Sequence, residues 1–144
     1  MYVTRHMEPV VLEVSSQYPA LLIVGPRQVG KTTMLEHLIE VEGRGRTVVT
    51  LDDLTERELA KTDPKMFFQL HKPPLLIDEV QYAPELFPYI KMMVDQRHQP
   101  GDFWMTGSQL FKMMEGVQES LAGRVALLHL SPMSQSEILH CPAT

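Results

Sequence analysis

The chain is short of several things, and each shortage excludes something. It has one cysteine, Cys141, so no disulfide can form within it, and a reducing compartment, the cytoplasm, is the expectation. No apolar run approaches the length needed to cross a bilayer, so no membrane contact is expected. The first residues, MYVTRHMEPVVLEV, carry Glu8 and Glu13 and no long apolar block, unlike a signal peptide. Positive charge is not in excess, since the net charge is −5. That argues against a protein that coats nucleic acid, because phosphate backbones select clustered Lys and Arg. The histidines show no metal-ligand spacing, and His140-Cys141 alone is too few ligands for zinc. Glycine is sparse, 8 in 144 residues, and two of the eight fall five positions apart, at Gly25 and Gly30.

What is present alternates. Residues 5–17 read as a short leading helix or arm. ALLIVG, 20–25, is a continuous apolar run closed by glycine, as expected of a strand buried on both faces. Helical spacing follows through Met34, Leu35, Leu38, Ile39 and Val41, and GRGR, 43–46, stops it. TVVTL, 47–51, reads as a second strand. Asp53 with Glu56 fits a capping box for a helix over ERELAK, and Asp63-Pro64 opens another. LLID, 75–78, FWMTG, 103–107, and RVALLHL, 124–130, complete five strands. A helix starts at Pro84, and a further helical stretch is expected in two pieces around Gly116. Strand and helix in alternation imply an α/β fold: a three-layer α/β/α domain on a mostly parallel five-stranded sheet. The paired methionines Met92-Met93 and Met113-Met114 read as adaptable core filler, and Trp104 as packing.

Gly25, Gly30, Lys31 and Thr32 satisfy G-x-x-x-x-G-K-[ST] between a predicted strand and a predicted helix. By chance the four positions arise about once in a few hundred chains of this length at average residue usage. The chemistry accounts for the residue types. Backbone N–H groups wrap a polyphosphate, and glycine permits the close approach. The helix mouth aims its free N–H groups at the same anion. Lys31 supplies a point charge to the β- and γ-phosphates, and the Thr32 hydroxyl a ligand to Mg²⁺. The nucleotide-binding residues expected are Gly25, Pro26, Arg27, Gln28, Val29, Gly30, Lys31, Thr32 and Thr33.

Two acids end the third strand. Asp78 is placed to join Thr32 in holding Mg²⁺, and Glu79 to orient and deprotonate an attacking water. The plainer alternative is a strand that ends in solvated acids. TGSQ, 106–109, ends the fourth strand on the same crevice. Thr106 or Ser108 can therefore meet the γ-phosphate or the water, although Ser108 also suits a helix cap. Asp52 and Asp53 could meet a ribose, but capping explains Asp53 more simply.

GPRQVGKT, LLIDE, TGSQ and SLAGR, in this order, resemble the AAA+ ATPase superfamily. The set is most similar to a widespread prokaryotic family of predicted AAA+ ATPases that also shows an LDD after the second strand, here Leu51 to Asp53. The likeness covers about residues 18 to 137. SLAGR and the DEVQ of Asp78 to Gln81 narrow it, since the first two motifs are generic. It implies a Mg·ATP-dependent ATPase core in which Arg124 reaches the γ-phosphate of a neighbouring subunit, hence a homo-oligomer assembled head to tail in a ring or spiral. An arginine bonded within its own chain is the alternative. The expected division is an arm at 1–18, the ATPase core at 19–131 and the start of a truncated C-terminal region at 132–144. The helical lid and further domain that the resemblance implies do not fit after Leu130, so a piece of a longer protein is expected, and its activity alone is left open. Two other readings of the residues stand beside an ATPase that drives a conformational change: a nucleotide-gated switch with little turnover, and a P-loop kinase of small molecules. No Asn-Lys-x-Asp guanine-reading motif is present. The residues leave open whether the partner is a protein or DNA.

Overall fold

The computed structural model describes residues 8–25, 31–108 and 111–129, with backbone alone at Glu8, Lys31, Thr32, Phe111 and Lys112. Its elements run α1 (Glu8–Ser15), β1 (Ala20–Val24), α2 (Lys31–Glu42), β2 (Thr47–Thr50), α3 (Leu54–Thr62), α4 (Pro64–Leu70), β3 (Leu75–Asp78), α5 (Phe87–Arg97), β4 (Phe103–Gly107), α6 (Phe111–Leu121) and β5 (Val125–His129). Two 3-10 turns, Val80–Tyr82 and Pro84–Leu86, lie between β3 and α5.

The strands form one sheet in the order β2-β3-β4-β1-β5. Every pairing is parallel. Parallel strands need crossovers, and the helices supply them on both faces. Side-chain alternation along the strands sorts the core in two. Leu21, Ile23, Leu76 and Trp104 pack with Val11 of α1 and Met34, Leu35 and Leu38 of α2. Leu22, Val49, Leu75, Ile77, Phe103 and Met105 face the other way, against α3 to α6. The three-layer α/β/α expectation therefore holds.

The N-terminal edge of the sheet is closed by a buried cation. The Arg46 guanidinium bonds Glu42 through Nε at 2.7 Å and Nη2 at 3.1 Å. It also donates to the carbonyls of Leu75 and Asp102 and lies 3.8 Å over the Trp104 ring. Trp104 Nε1 donates to Ser15 Oγ at 2.9 Å, which ties α1 to β4. Trp104 is thus packing, as expected.

Three expectations are corrected. The last helical stretch is not broken at Gly116, since α6 runs unbroken from Phe111 to Leu121. A Cβ at Gly116 would come within 3.0 Å of the Phe87 ring, so this glycine lets α6 pack closely on the start of α5. Met92 is not core filler. It is 47% exposed, whereas Met113 is buried and Met93 and Met114 are partly so. The helix expected from Pro84 begins as a 3-10 turn and becomes α-helical at Phe87.

Candidate functional site

The sheet register builds the site. Thr50 pairs with Asp78 across β2 and β3, and Ile77 pairs with Met105, which brings Thr106 next to Asp78. All three belong to the parity of Leu76 and Trp104, the face that α2 covers. A polar row therefore crosses three strands at their C-terminal ends, on the side where α2 begins with Lys31. Asp78 lies at its centre, 8% exposed. Its Oδ1 accepts from Thr106 Oγ1 at 2.6 Å and its Oδ2 from Thr50 Oγ1 at 2.9 Å. Buried charge needs such partners, and both hydroxyls supply them. Thr106 is fully buried, and its Oγ1 also accepts from the Glu79 N–H at 3.0 Å. Its hydroxyl is thus committed inward, to Asp78 and Glu79.

Glu79 leaves the strand in the left-handed region, with φ 61° and ψ 51°. Non-glycine residues seldom adopt this, and such backbone gathers at functional sites. The residue is 5% exposed. Its Oε1 accepts from Gln81 Nε2 at 2.8 Å, and Gln81 Oε1 accepts from the Ser108 N–H at 3.2 Å. Ser108 is half-buried. Carboxylate oxygens of Asp52, Asp78 and Glu79 lie within 4.8 Å of one another. Asp52 received no such role from the sequence. Its one signal was the LDD segment, and the register that brings the end of β2 beside β3 supplies the rest.

Gly25 closes β1, donating its N–H to the Gly107 carbonyl at 3.2 Å. Pro26, Arg27, Gln28, Val29 and Gly30 lie outside the described residues. Lys31 and Thr32 open α2, their side chains outside the description, and Thr33 is exposed in its first turn. Arg124 stands apart. It precedes β5 at the opposite edge of the sheet from Asp78 and Glu79. Within the chain it forms a bidentate pair with Asp95 of α5, Nε to Oδ1 at 2.8 Å and Nη2 to Oδ2 at 3.0 Å. That bonding holds the Asp95 carboxyl below its ordinary range and raises Arg124. Among the described residues no helix is long and apolar enough to cross a membrane.

A parallel sheet with β4 between the two strands that carry GPRQVGKT and the acidic pair, and with that phosphate-loop sequence leading into α2, defines a P-loop NTPase core. A family model described as the AAA domain matches residues 17–139, and the chain belongs to that family, within the AAA+ superfamily. It is 33% identical over 121 residues to uncharacterized proteins of Mycobacterium tuberculosis and Mycobacterium bovis, covering 83% of this chain and 26% of each of theirs. The chain thus spans about a quarter of the length of these relatives. Among solved structures it is similar to a DNA replication initiation factor, with TM-score 0.58, 14% identity, and coverage of 93% of this chain and 46% of that one. It is also similar to the P-loop NTPase domain of an E. coli sigma-54 transport activator, with TM-score 0.60, 12% identity, and coverage of 90% and 95%. At such identities the likeness is one of fold.

Proposed function

We propose that this chain is an ATP-binding core that hydrolyses Mg·ATP and uses the cycle to drive a conformational change. One observation carries the reading: the buried Asp78, held by two threonine hydroxyls from neighbouring strands, next to a strained Glu79 at the strand ends beside the start of α2. A stretch of solvated acids would not be buried and buttressed in this way.

The residues have distinct tasks. Gly25 to Thr33 enclose the phosphates through backbone N–H groups, and Lys31 neutralises charge on the β- and γ-phosphates. Hard oxygen donors suit Mg²⁺, and the cluster of Asp78, Glu79 and Asp52 is such a set, so Asp78 with Thr32 would hold the ion. Bound there, Mg²⁺ offsets negative charge on the phosphates. Glu79 orients a water and accepts its proton as the oxygen attacks the γ-phosphorus and the bond to the β–γ bridging oxygen breaks. Ser108, at the end of β4, is the polar group assigned to the γ-phosphate or the water. Arg124 is assigned to a neighbour's γ-phosphate in a head-to-tail homo-oligomer, ring or spiral. Its bond to Asp95 is then the contact it exchanges on assembly.

The test follows phosphate release by the full-length protein with ATP and Mg²⁺. Glu79→Gln should bind nucleotide and stall, and Lys31→Ala should lose binding. Equal turnover in all three proteins sinks the assignment.

A further inference from the structure

The segment DEVQ divides its work. Asp78 and Glu79 belong to the proposed hydrolytic site, and Val80 is buried in the core. Gln81 is half-buried, and both ends of its carboxamide are engaged. The end facing the Glu79 carboxylate must donate, and it does so through Nε2 at 2.8 Å. The end facing the Ser108 N–H must accept, and Oε1 does so at 3.2 Å. A carboxamide meets both demands without adding charge. The space beside it exists because residue 107 is glycine. A Cβ there would come 3.0 Å from Gln81 Oε1 and 2.9 Å from Met113 Sδ. The 3-10 turn fixes Gln81 two residues beyond Glu79, closed by Tyr82 N–H to the Glu79 carbonyl at 3.2 Å.

We propose that Gln81 is a positioning residue for hydrolysis: it holds the Glu79 carboxylate in one orientation and ties it to the end of β4 at Ser108. This rests on the ATPase reading above. A carboxylate free to rotate spends much of its time away from the water it must orient, and a fixed one raises the fraction of complexes ready for attack. Gln81 acts through Glu79 and Ser108 and not through the nucleotide's binding loop. Its loss therefore falls on kcat and leaves KM in place.

Steady-state and single-turnover ATP hydrolysis by the full-length protein, with melting temperature measured alongside, tests this in four variants. Gln81→Met keeps the volume and removes both hydrogen bonds. It should lower kcat about tenfold, with KM and melting temperature near wild type. Gln81→Glu keeps an acceptor for Ser108 but sets a carboxylate against Glu79, so it should not restore the rate. In a Glu79→Gln background, Gln81→Met should cost nothing further, because residues acting as one unit are not additive. Restoration by Gln81→Glu, or a further loss in the double variant, would mean a scaffold for the Ser108 segment and overturns the proposal. So does an unchanged or raised kcat in Gln81→Met. If Gln81→Met does not fold, Gly107→Ala, whose methyl crowds the carboxamide, is read by the same criteria. Absence of turnover in the wild type defeats the ATPase reading and this inference with it. Turnover that Glu79→Gln reduces to a small residual single-turnover rate but Gln81→Met leaves alone removes only the role of Gln81.

Discussion

Thr106 shows how much one hydroxyl can hold. It donates to Asp78 and accepts from the Glu79 N–H while fully buried. Thr106→Val keeps the shape and removes the oxygen, leaving the Glu79 N–H without that acceptor and Asp78 without that donor. Stability should fall by about 1–3 kcal/mol, the cost of stranding buried polar groups. Urea denaturation checks it: the midpoint should drop with an unchanged slope. A midpoint equal to wild type would mean that water replaces the hydroxyl and that the row is not closed. Ser108 and Thr106 were equivalent candidates in the sequence, both small and polar at the end of one strand. The end of β4 separates them: Thr106 lies within the strand and bonds Asp78, whereas Ser108 lies beyond it with its N–H on Gln81.

At the scale of elements, α3 is legible from its first residues. The Asp53 carboxylate accepts from the N–H groups of Thr55 at 2.9 Å and Glu56 at 3.4 Å, so the Asp53 cap read from the sequence is observed. The expected box is not completed: the Asp53 N–H donates to the Thr50 carbonyl, and Glu56 Oε1 meets His71 Nε2. Asp53→Ala should destabilise the domain by about 1 kcal/mol, measured as a shift in the denaturation midpoint. Its neighbour Asp52 belongs to the acidic cluster, so Asp52→Ala should leave stability closer to wild type than Asp53→Ala does. Equal losses in the two would refute that division. Gly116 misled because a glycine within a helical pattern reads as a breaker when nothing shows what lies beside it. Here the neighbour is the Phe87 ring, which only the packing of α6 against α5 reveals.

For the whole molecule the question is whether Arg124 serves its own chain or another. Its pair with Asp95 is half-exposed at Arg124 and exposed at Asp95, so it is worth little and is screened by salt. A lowered folded-state value for Asp95 means the pair's contribution is present above the ordinary carboxylate range. It is lost as pH falls through the lowered value. At neutral pH the bond is therefore intact yet cheap to exchange. Arg124→Ala and Glu79→Gln subunits of the full-length protein, each inactive alone, should recover ATP turnover when mixed. In mixed assemblies an intact Glu79 site receives Arg124 from its neighbour. No recovery assigns Arg124 to its own chain.

The amino-acid sequence by itself determined the alternation of strands and helices, the caps at Asp53 and Asp63, the phosphate-loop motif and the acidic end of β3. Each of these is written in local spacing, in buried apolar runs, in helical periodicity or in residue types whose chemistry acts over a few positions. Only the tertiary structure decided which polar groups meet. Parallel register set Thr50, Asp78 and Thr106 side by side from three separate strands, placed Asp52 near Glu79, and brought Gln81 against Ser108 across 27 residues of chain. Contacts of that kind depend on strand order and pairing, which loop closure and core packing select together, and no local pattern encodes them.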